Sequence, residues 1–361
     1  MDKLVKNILL KFNRNGYNAY LVGGFVRDHL LGKKSFDVDI STNATPEEIT
    51  RLFKNYIQNE NGVVKYKIGK YAIEIATMRR ENAYEKRRPV EHEYVNDINV
   101  DYLRRDFTIN AIYMDYNGNI IDPSQGINDL NKGIIRIIGD AQQKFNEDSL
   151  RILRAIRFST ILDFDIDESL LKDIKKYSYL VSSLSKFRIT EELKKIFTCS
   201  NYKRGLELFE KTGIKEVLKI SYSDIHYSNN YLIMLAQIDS PFYELSSSES
   251  KTISDIRSIK RLGTIDNFSL FNYGIDTCFL AGELIGKTQN DILAIYRKMP
   301  IKSLNSIKVN GIDIINWLGI EPSKKIGEIM GDIKKEILLG NLNNNKKDIK
   351  KYIMERYDNN E

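Results

Sequence analysis

Residues 19–40 constrain this chain more than any other stretch. An apolar run from Ala19 to Val22 breaks at Gly23-Gly24, and a helix-like segment from Phe25 to Leu31 stops at Gly32. An alternating strand follows, in which Asp37 and Asp39 lie two residues apart. Side chains on a strand repeat with period two, so both carboxylates project from one face. Neighbouring carboxylates repel each other and resist desolvation unless a cation lies between them. Hard oxygen ligands at that spacing suit magnesium, which takes a few carboxylates plus substrate phosphates. Gly23-Gly24, just ahead of a helix N-terminus, lets backbone N–H groups approach an anion, and Arg27 adds a fork-shaped phosphate donor. Each piece alone is common: a Gly-Gly turn is usually a turn, and Asp-x-Asp can be a polar strand face. Together they read as nucleotidyl transfer.

The same residues carry a family resemblance. Gly23-Gly24-Phe25-Val26-Arg27-Asp28-His29-Leu30-Leu31-Gly32 followed by Asp37-Val38-Asp39 resembles the opening signature of the class II nucleotidyltransferases, which comprise the tRNA CCA-adding enzymes and bacterial poly(A) polymerases. The resemblance implies an α+β chain. A small N-terminal nucleotidyltransferase head of mixed β-sheet flanked by helices (residues 1–138) would precede an all-helical C-terminal half. That half would comprise a neck that reads the base (139–200), a body (201–270) and a basic tail that binds tRNA (271–361).

A length of 361 residues allows two or more compact units with real cores. A net charge of +6 permits a polyanionic partner without proving one. The two cysteines, Cys199 and Cys278, have no short-range partner, which favours a reducing compartment over a disulfide or zinc framework. The N-terminus starts as an amphipathic helix and no later segment is apolar enough to span a bilayer, so the expectation is a cytoplasmic protein away from membranes. His29, His92 and His226 are the three histidines, and the absence of a His-Asp pair excludes an appended histidine-aspartate phosphohydrolase domain.

Along the head, Leu4 to Phe12 has helical spacing and ends at Asn15-Gly16, and Thr45-Pro46-Glu47-Glu48 is a helix start. Gly62–Tyr66 and Tyr71–Met78 read as a strand pair, with Ala72, Glu74 and Ala76 on one face. By pattern Glu74 is a surface glutamate. The resemblance, through Glu74-Ile75-Ala76-Thr77-Met78-Arg79, implies that it is the third catalytic carboxylate. From Arg79 to Asp97 the chain is dense in charge and lacks apolar periodicity, so it reads as a mobile loop. In the CCA-adding relatives that loop is linked to the switch from C to A, and its presence here argues against a relative that adds only C.

Arg104-Arg105-Asp106-Phe107-Thr108-Ile109-Asn110-Ala111 leads into a strand at Ile112–Asp115 and matches the family's second signature. It implies that Arg105 contacts the nucleotide and that Asp106 to Asn110 shape the sugar pocket. Asp122–Gly126 is a turn, and Asp129-Leu130 leads into a strand at Ile134–Ile138, the hinge between head and neck in the family.

Phe145 to Phe158 has the period of one strong helix, with Leu150, Ile152, Leu153 and Ile156 on its apolar side. At roughly 100° per residue, Asp148, Arg151 and Arg154 share the other side within an arc of about 120°. A surface salt-bridged helix has the same spacing. The run also matches the family's Glu-Asp-x-x-Arg-x-x-Arg-Ala-x-Arg-Phe motif. Cytosine and adenine both offer an amine donor beside a ring-nitrogen acceptor. A carboxylate accepts from the amine and a neighbouring guanidinium donates to the ring nitrogen, as Asp148 and Arg151 would. Uracil and guanine present the reverse polarity and would leave both groups unpaired, which sites of this kind reject strongly. The resemblance also places Arg154 and Arg157 at nucleotide-binding positions. Helical geometry puts Arg157 in the apolar half, facing a structural contact with the head.

Further on, Leu245–Lys251 reads as a Ser-rich loop, Ser185–Phe197 as a helix capped by Thr190, and the tail as basic helices starting near Gly311 and Pro322. The expected function is template-independent addition of C, C and A to the tRNA 3′ end from CTP and ATP. Asp37 and Asp39 would bind Mg2+, and Gly24, Arg27 and Arg105 would steady the nucleotide. An A-adding tRNA enzyme, a bacterial poly(A) polymerase and an inert tRNA-binding module are the alternatives.

Overall fold

The computed structural model describes residues 2–53, 58–60, 63–85 and 88–357. It divides into two compact units, Met1–Ser221 with Ser240–Glu244, and Tyr222–Asp239 with Leu245–Glu361.

The first unit opens with α1 (Lys3–Arg14), capped by the Asp2 carboxylate and buried through Val5, Ile8, Leu9 and Phe12, a spacing of three and four that makes one apolar stripe. After β1 (Ala19–Val22) come α2 (Gly24–Leu30), β2 (Asp37–Thr42) and α3 (Pro46–Leu52), which starts on a reciprocal Thr45–Glu48 capping box. β3 (Gln58–Glu60), β4 (Val63–Ile68) and β5 (Tyr71–Thr77) follow, then β6 (Arg79–Glu85), β7 (Arg88–Tyr94) and α4 (Ile98–Asp101). Two short 3-10 turns separate α4 from β8 (Tyr113–Met114) and β9 (Ile120–Ile121).

Among the described residues the main sheet runs β3-β4-β5-β2-β1-β8-β9. β2 is antiparallel to β1 and parallel to β5, which makes the sheet mixed, as expected. Val38 and Ile40 of β2 share the core face with Ile73 and Ile75 of β5, each nearly or fully buried and contributing about 1.5–3 kcal/mol. The alternate residues of both strands form the opposite face, so the pattern that builds the core also aligns the acids.

Residues 79–94 are not the irregular loop their charge suggests. β6 and β7 form an antiparallel ladder of their own from Arg79↔Tyr94 to Glu85↔Arg88, with irregular register between Glu81 and Tyr84. A two-stranded ladder pairs the facing backbone groups of its strands whatever side chains they carry, so a charge-dense stretch without apolar periodicity can form it. Residues 86 and 87 lie outside the described residues.

The turn at 122–126 runs directly into α5 (Gly126–Lys132), and the strand expected at Ile134–Ile138 is reduced to β10 (Ile134–Ile135) and a single bridge between Ile137 and Phe107. The expected helix from Phe145 to Phe158 is two helices, α6 (Ala141–Glu147) and α7 (Leu150–Leu162). Asp148 between them is extended (φ −153°, ψ 102°), and its carboxylate accepts from the Leu150 N–H at 3.1 Å. Ser149 donates its hydroxyl to the Leu180 carbonyl at 3.1 Å. By capping the nearby Leu150 N–H the Asp148 carboxylate competes with a continuous helix, and Ser149 is tied instead to Leu180, 31 residues on. α7 is buried almost all round, including Arg151 and Arg157. β11 (Asp165–Ile166) pairs in parallel with β10, and α8 (Glu168–Tyr177), α9 (Lys186–Phe197), α10 (Tyr202–Thr212) and α11 (Ile214–Val217) complete this part. Ser185, not Thr190, caps α9; the Thr190 hydroxyl donates to the Lys186 carbonyl inside the helix.

The second unit contains α12 (Tyr231–Gln237), α13 (Ser247–Leu262), α14 (Asn267–Tyr273), α15 (Ile275–Leu284), α16 (Gln289–Lys298), α17 (Gly311–Leu318), α18 (Lys324–Leu339) and α19 (Lys346–Tyr357). The Ser-rich stretch expected as a loop is the start of α13, nucleated by a Ser246–Glu249 capping box. Ile329, Ile333 and Ile337 of α18 and Ile349 and Ile353 of α19 are fully buried. No described helix is long and apolar enough to cross a membrane.

Candidate active site

A cavity of about 680 Å³ opens in the first unit, lined by seven arginines and five carboxylates. Gly23 leaves β1 with φ +72° and ψ −144°, and a Cβ there would stand 2.7 Å from Asp39 Oδ2. Only glycine tolerates both that backbone and that approach. The Gly24 N–H is close enough to the Asp39 carboxylate to favour its charged form. Arg27 of α2 is buried, donates from Nη1 to Asn110 Oδ1 at 2.7 Å and from Nε to Asp28 at 2.9 Å, and lies over the Phe158 ring.

Asp37 and Asp39 line the cavity from one face of β2. Glu74 stands opposite Asp39 in the parallel pair, as expected for a third carboxylate on the same sheet. Its Oε1, however, pairs with Lys65 Nζ at 2.9 Å, with both side chains about half exposed. Burial, together with the charges of Glu74 and Asp37, pushes the Asp39 carboxyl above its usual range, and Arg105 and the Gly24 N–H only partly offset this. Crowded, partly desolvated carboxylates of this kind call for a cation. Among the described residues no three His, Cys, Asp or Glu side chains form a metal-ligand group. Asp37 and Asp39 offer two carboxylates from one strand face to the cavity, a donor type that suits a hard divalent ion taking its other ligands from water and phosphate.

Sequence reasoning missed Asp101. Its fully buried carboxylate accepts from Arg104 Nε (2.7 Å), Arg105 Nη2 (3.1 Å), the Tyr113 hydroxyl (2.8 Å), the Ser41 hydroxyl (3.0 Å) and the Arg79 N–H (3.3 Å). Burial pushes this carboxyl up, but Arg105 and Arg104 outweigh it and hold the acid well below the usual range. The spacing of three and four from Asp101 to Arg104 and Arg105 was its available signal. Asp106 is likewise buried and paired with Arg154, whose Nε lies 2.7 Å away. Burial opposes and Arg154 prevails, so Asp106 falls to about 2.

Asp148 and Arg151 both line the cavity, but the break at Asp148 means that they do not share one helical face. Arg151 donates from Nη1 to Glu147 at 2.7 Å and from Nη2 to the Arg104 carbonyl at 3.2 Å. Asp148 pairs with Arg188 of α9 at 2.7 Å. Arg188 is a second residue that sequence reasoning missed, because nothing local marks a partner forty positions away. Arg157 also reaches the cavity wall, but its structural partner is buried Glu192 of α9 (Nε–Oε2 3.2 Å) rather than the head.

A mixed sheet with paired strand carboxylates facing an arginine-lined cavity defines a nucleotidyltransferase class, and family models agree. Residues 19–136 match the "Poly A polymerase head domain", 163–220 the "Probable RNA and SrmB- binding site of polymerase A", and 243–353 the "tRNA nucleotidyltransferase domain 2". The chain belongs to the family of the CCA-adding enzymes. It is 33% identical to the CCA-adding enzyme of Ligilactobacillus salivarius strain UCC118, over 94% of this chain and 93% of that one. Identity to the Lactococcus lactis subsp. cremoris strain SK11 enzyme is 34%, over 93% and 92%. Among solved structures, the Bacillus stearothermophilus CCA-adding enzyme in complex with CTP superposes with a TM-score of 0.81 at 26% identity, covering 99% of this chain and 98% of that one. The Thermotoga maritima CCA-adding enzyme, solved with tRNA, shares the fold at a TM-score of 0.64 and 24% identity, covering 98% and 96%.

Proposed function

We propose that this chain adds C, C and A to the 3′ end of tRNA from CTP and ATP without a nucleic-acid template, as a cytoplasmic enzyme. The observation that carries this reading is that one cavity is lined both by Asp37 and Asp39 and by Asp148 and Arg151. Asp37 and Asp39 would hold magnesium, which when bound supplies a lowered pKa for the primer 3′-hydroxyl and charge neutralisation on the triphosphate. Gly24 braces Asp39 through its N–H, and Arg27 and Arg105 steady the triphosphate with fork-shaped donors. Glu74 serves as the third catalytic carboxylate, acting on Asp39 through its charge. Asp106 and Asn110 shape the sugar end, with Arg154 fixing Asp106 and Arg157 bracing the wall. Asp148 accepts from the exocyclic amine of cytosine or adenine while Arg151 donates to the ring nitrogen, and uracil or guanine leaves both unpaired.

In the same reading, residues 1–138 act as catalytic head, 139–200 as neck, 201–270 as body and 271–361 as tRNA-binding tail. Support for an RNA-facing tail comes from Trp317, whose ring centroid lies 5.7 and 5.5 Å from the ammonium groups of Lys346 and Lys350. Aromatic rings interleaved with cations are what nucleic acid surfaces use.

The test is to incubate tRNA ending before CCA first with CTP alone and then with ATP. Two added cytidines, followed by one adenosine, are expected. Failure to use CTP would favour an A-adding enzyme, a long A tail a poly(A) polymerase, and no turnover with any metal an inert binding module.

A further inference from the structure

Arg105 is held by a closed triangle of hydrogen bonds. Its Nε donates to the Tyr113 hydroxyl at 2.9 Å, its Nη2 donates to Asp101 Oδ2 at 3.1 Å, and the Tyr113 hydroxyl donates to the same Oδ2 at 2.8 Å. The Arg105 guanidinium also lies 5.1 Å from the Tyr113 ring centroid. Tyr113 is fully buried on β8, and the Asp101 side chain is fully buried at the end of α4. Two elements of the first unit, α4 and β8, thus converge on one guanidinium.

We propose that Asp101 and Tyr113 are positioning residues for nucleotide binding, taking the Nε and Nη2 donors of Arg105 so that its Nη1 edge is presented to the triphosphate. The inference rests on the reading of Arg105 as a nucleotide ligand. An arginine on a surface has many rotamers, and binding through it costs their loss. Here two of its three nitrogens are committed inside the protein, so the fold itself supplies that ordering. The Asp101 carboxylate can do this because its other oxygen is saturated by Arg104 and the Arg79 N–H, which leaves it no alternative pose. Tyr113 adds direction: its hydroxyl bridges acid and base while its ring centroid lies 5.1 Å from the guanidinium carbon. Neither residue needs to touch substrate.

The test is steady-state kinetics with CTP and CCA-lacking tRNA on Tyr113→Phe, Asp101→Asn, Arg105→Ala and the Tyr113→Phe/Arg105→Ala double variant. Tyr113→Phe removes both charge-assisted bonds of the hydroxyl, to Arg105 and to Asp101, while keeping the ring, and the CTP KM should rise about tenfold with kcat and tRNA KM within about twofold. Arg105→Ala should raise the CTP KM at least as far, and adding Tyr113→Phe to it should change nothing more, because the two act through one group. An unchanged CTP KM in Tyr113→Phe, or an equal further loss in the Arg105→Ala background, overturns the inference, even where Asp101→Asn does not fold. An Arg105→Ala chain with unaltered CTP KM overturns the reading of Arg105 itself, and this inference with it.

Discussion

Asp39 and Glu74 face each other in register across the parallel β2–β5 pair, yet the Glu74 carboxylate is paired with Lys65. Two acids from adjacent strands thus have unequal environments, one mostly buried in the cavity and one half exposed.

That inequality sets an order of mutational sensitivity. Asp37→Asn or Asp39→Asn should lower single-turnover C addition about a thousandfold, the scale of several kcal/mol of metal-borne stabilisation. Glu74→Gln should cost less than about tenfold, because its ion pair is exposed and screened. Quench-flow assays across a magnesium titration check this, and a Glu74→Gln loss equal to that of Asp39→Asn would refute the ordering.

Arg188 fixes one Asp148 oxygen while the Leu150 N–H occupies the other. Arg188→Ala should raise the KM for CTP and ATP alike by about tenfold, the scale of one charge-assisted hydrogen bond. Misincorporation of UTP should rise with it. Competition assays with labelled UTP and CTP decide, and an unchanged ratio with unchanged KM would remove Arg188 from base reading.

Acid stability should report the Asp106–Arg154 pair. The folded pKa of Asp106 is depressed to about 2, so its contribution is fully present above the unfolded value and is lost as pH falls through about 4 towards 2. Its size is about 2 kcal/mol. Urea denaturation of Arg154→Met should therefore show its full deficit at pH 7 and a shrinking one below pH 4. A deficit that stays constant down to pH 2.5 would show that packing, not charge, is what Arg154 supplies.

In the second unit Cys278 is fully buried, and burial pushes its thiol up to about 12. Thiolate is the reactive form. At pH 8 a disulfide reagent should modify Cys278 only at urea concentrations that unfold this unit, and that reaction should track its loss of helical signal. Fast modification of the native protein at Cys278 is the contrary result.

The chemistry of the site was more legible than its geometry. Asp37 and Asp39 could be placed on one strand face because a period of two needs only local sequence, and Gly23, Arg27 and Arg105 came with recognisable strings. The helix through residues 145–158 misled because apolar periodicity runs on across Asp148 and Ser149, while the break comes from Asp148 capping the Leu150 N–H and from Ser149 bonding the distant Leu180 carbonyl. The β6–β7 ladder left no apolar trace, since it forms a sheet of its own. Arg188, Glu192 and Tyr113 act through partners distant in sequence, and one chain carries no sign of such pairings.

The two adjacent glycines at the start of α2 are not equivalent. At Gly23 a methyl group would collide with Asp39 and the backbone is left-handed, whereas at Gly24 the nearest atom to such a methyl is Arg27 Nη2, 3.5 Å away. A designer wishing to stiffen this turn has one permissible position, the second, where alanine keeps the N–H that braces Asp39. The first has no substitute among the L-amino acids, because whatever replaced it would have to evict the acid around which the pocket is built.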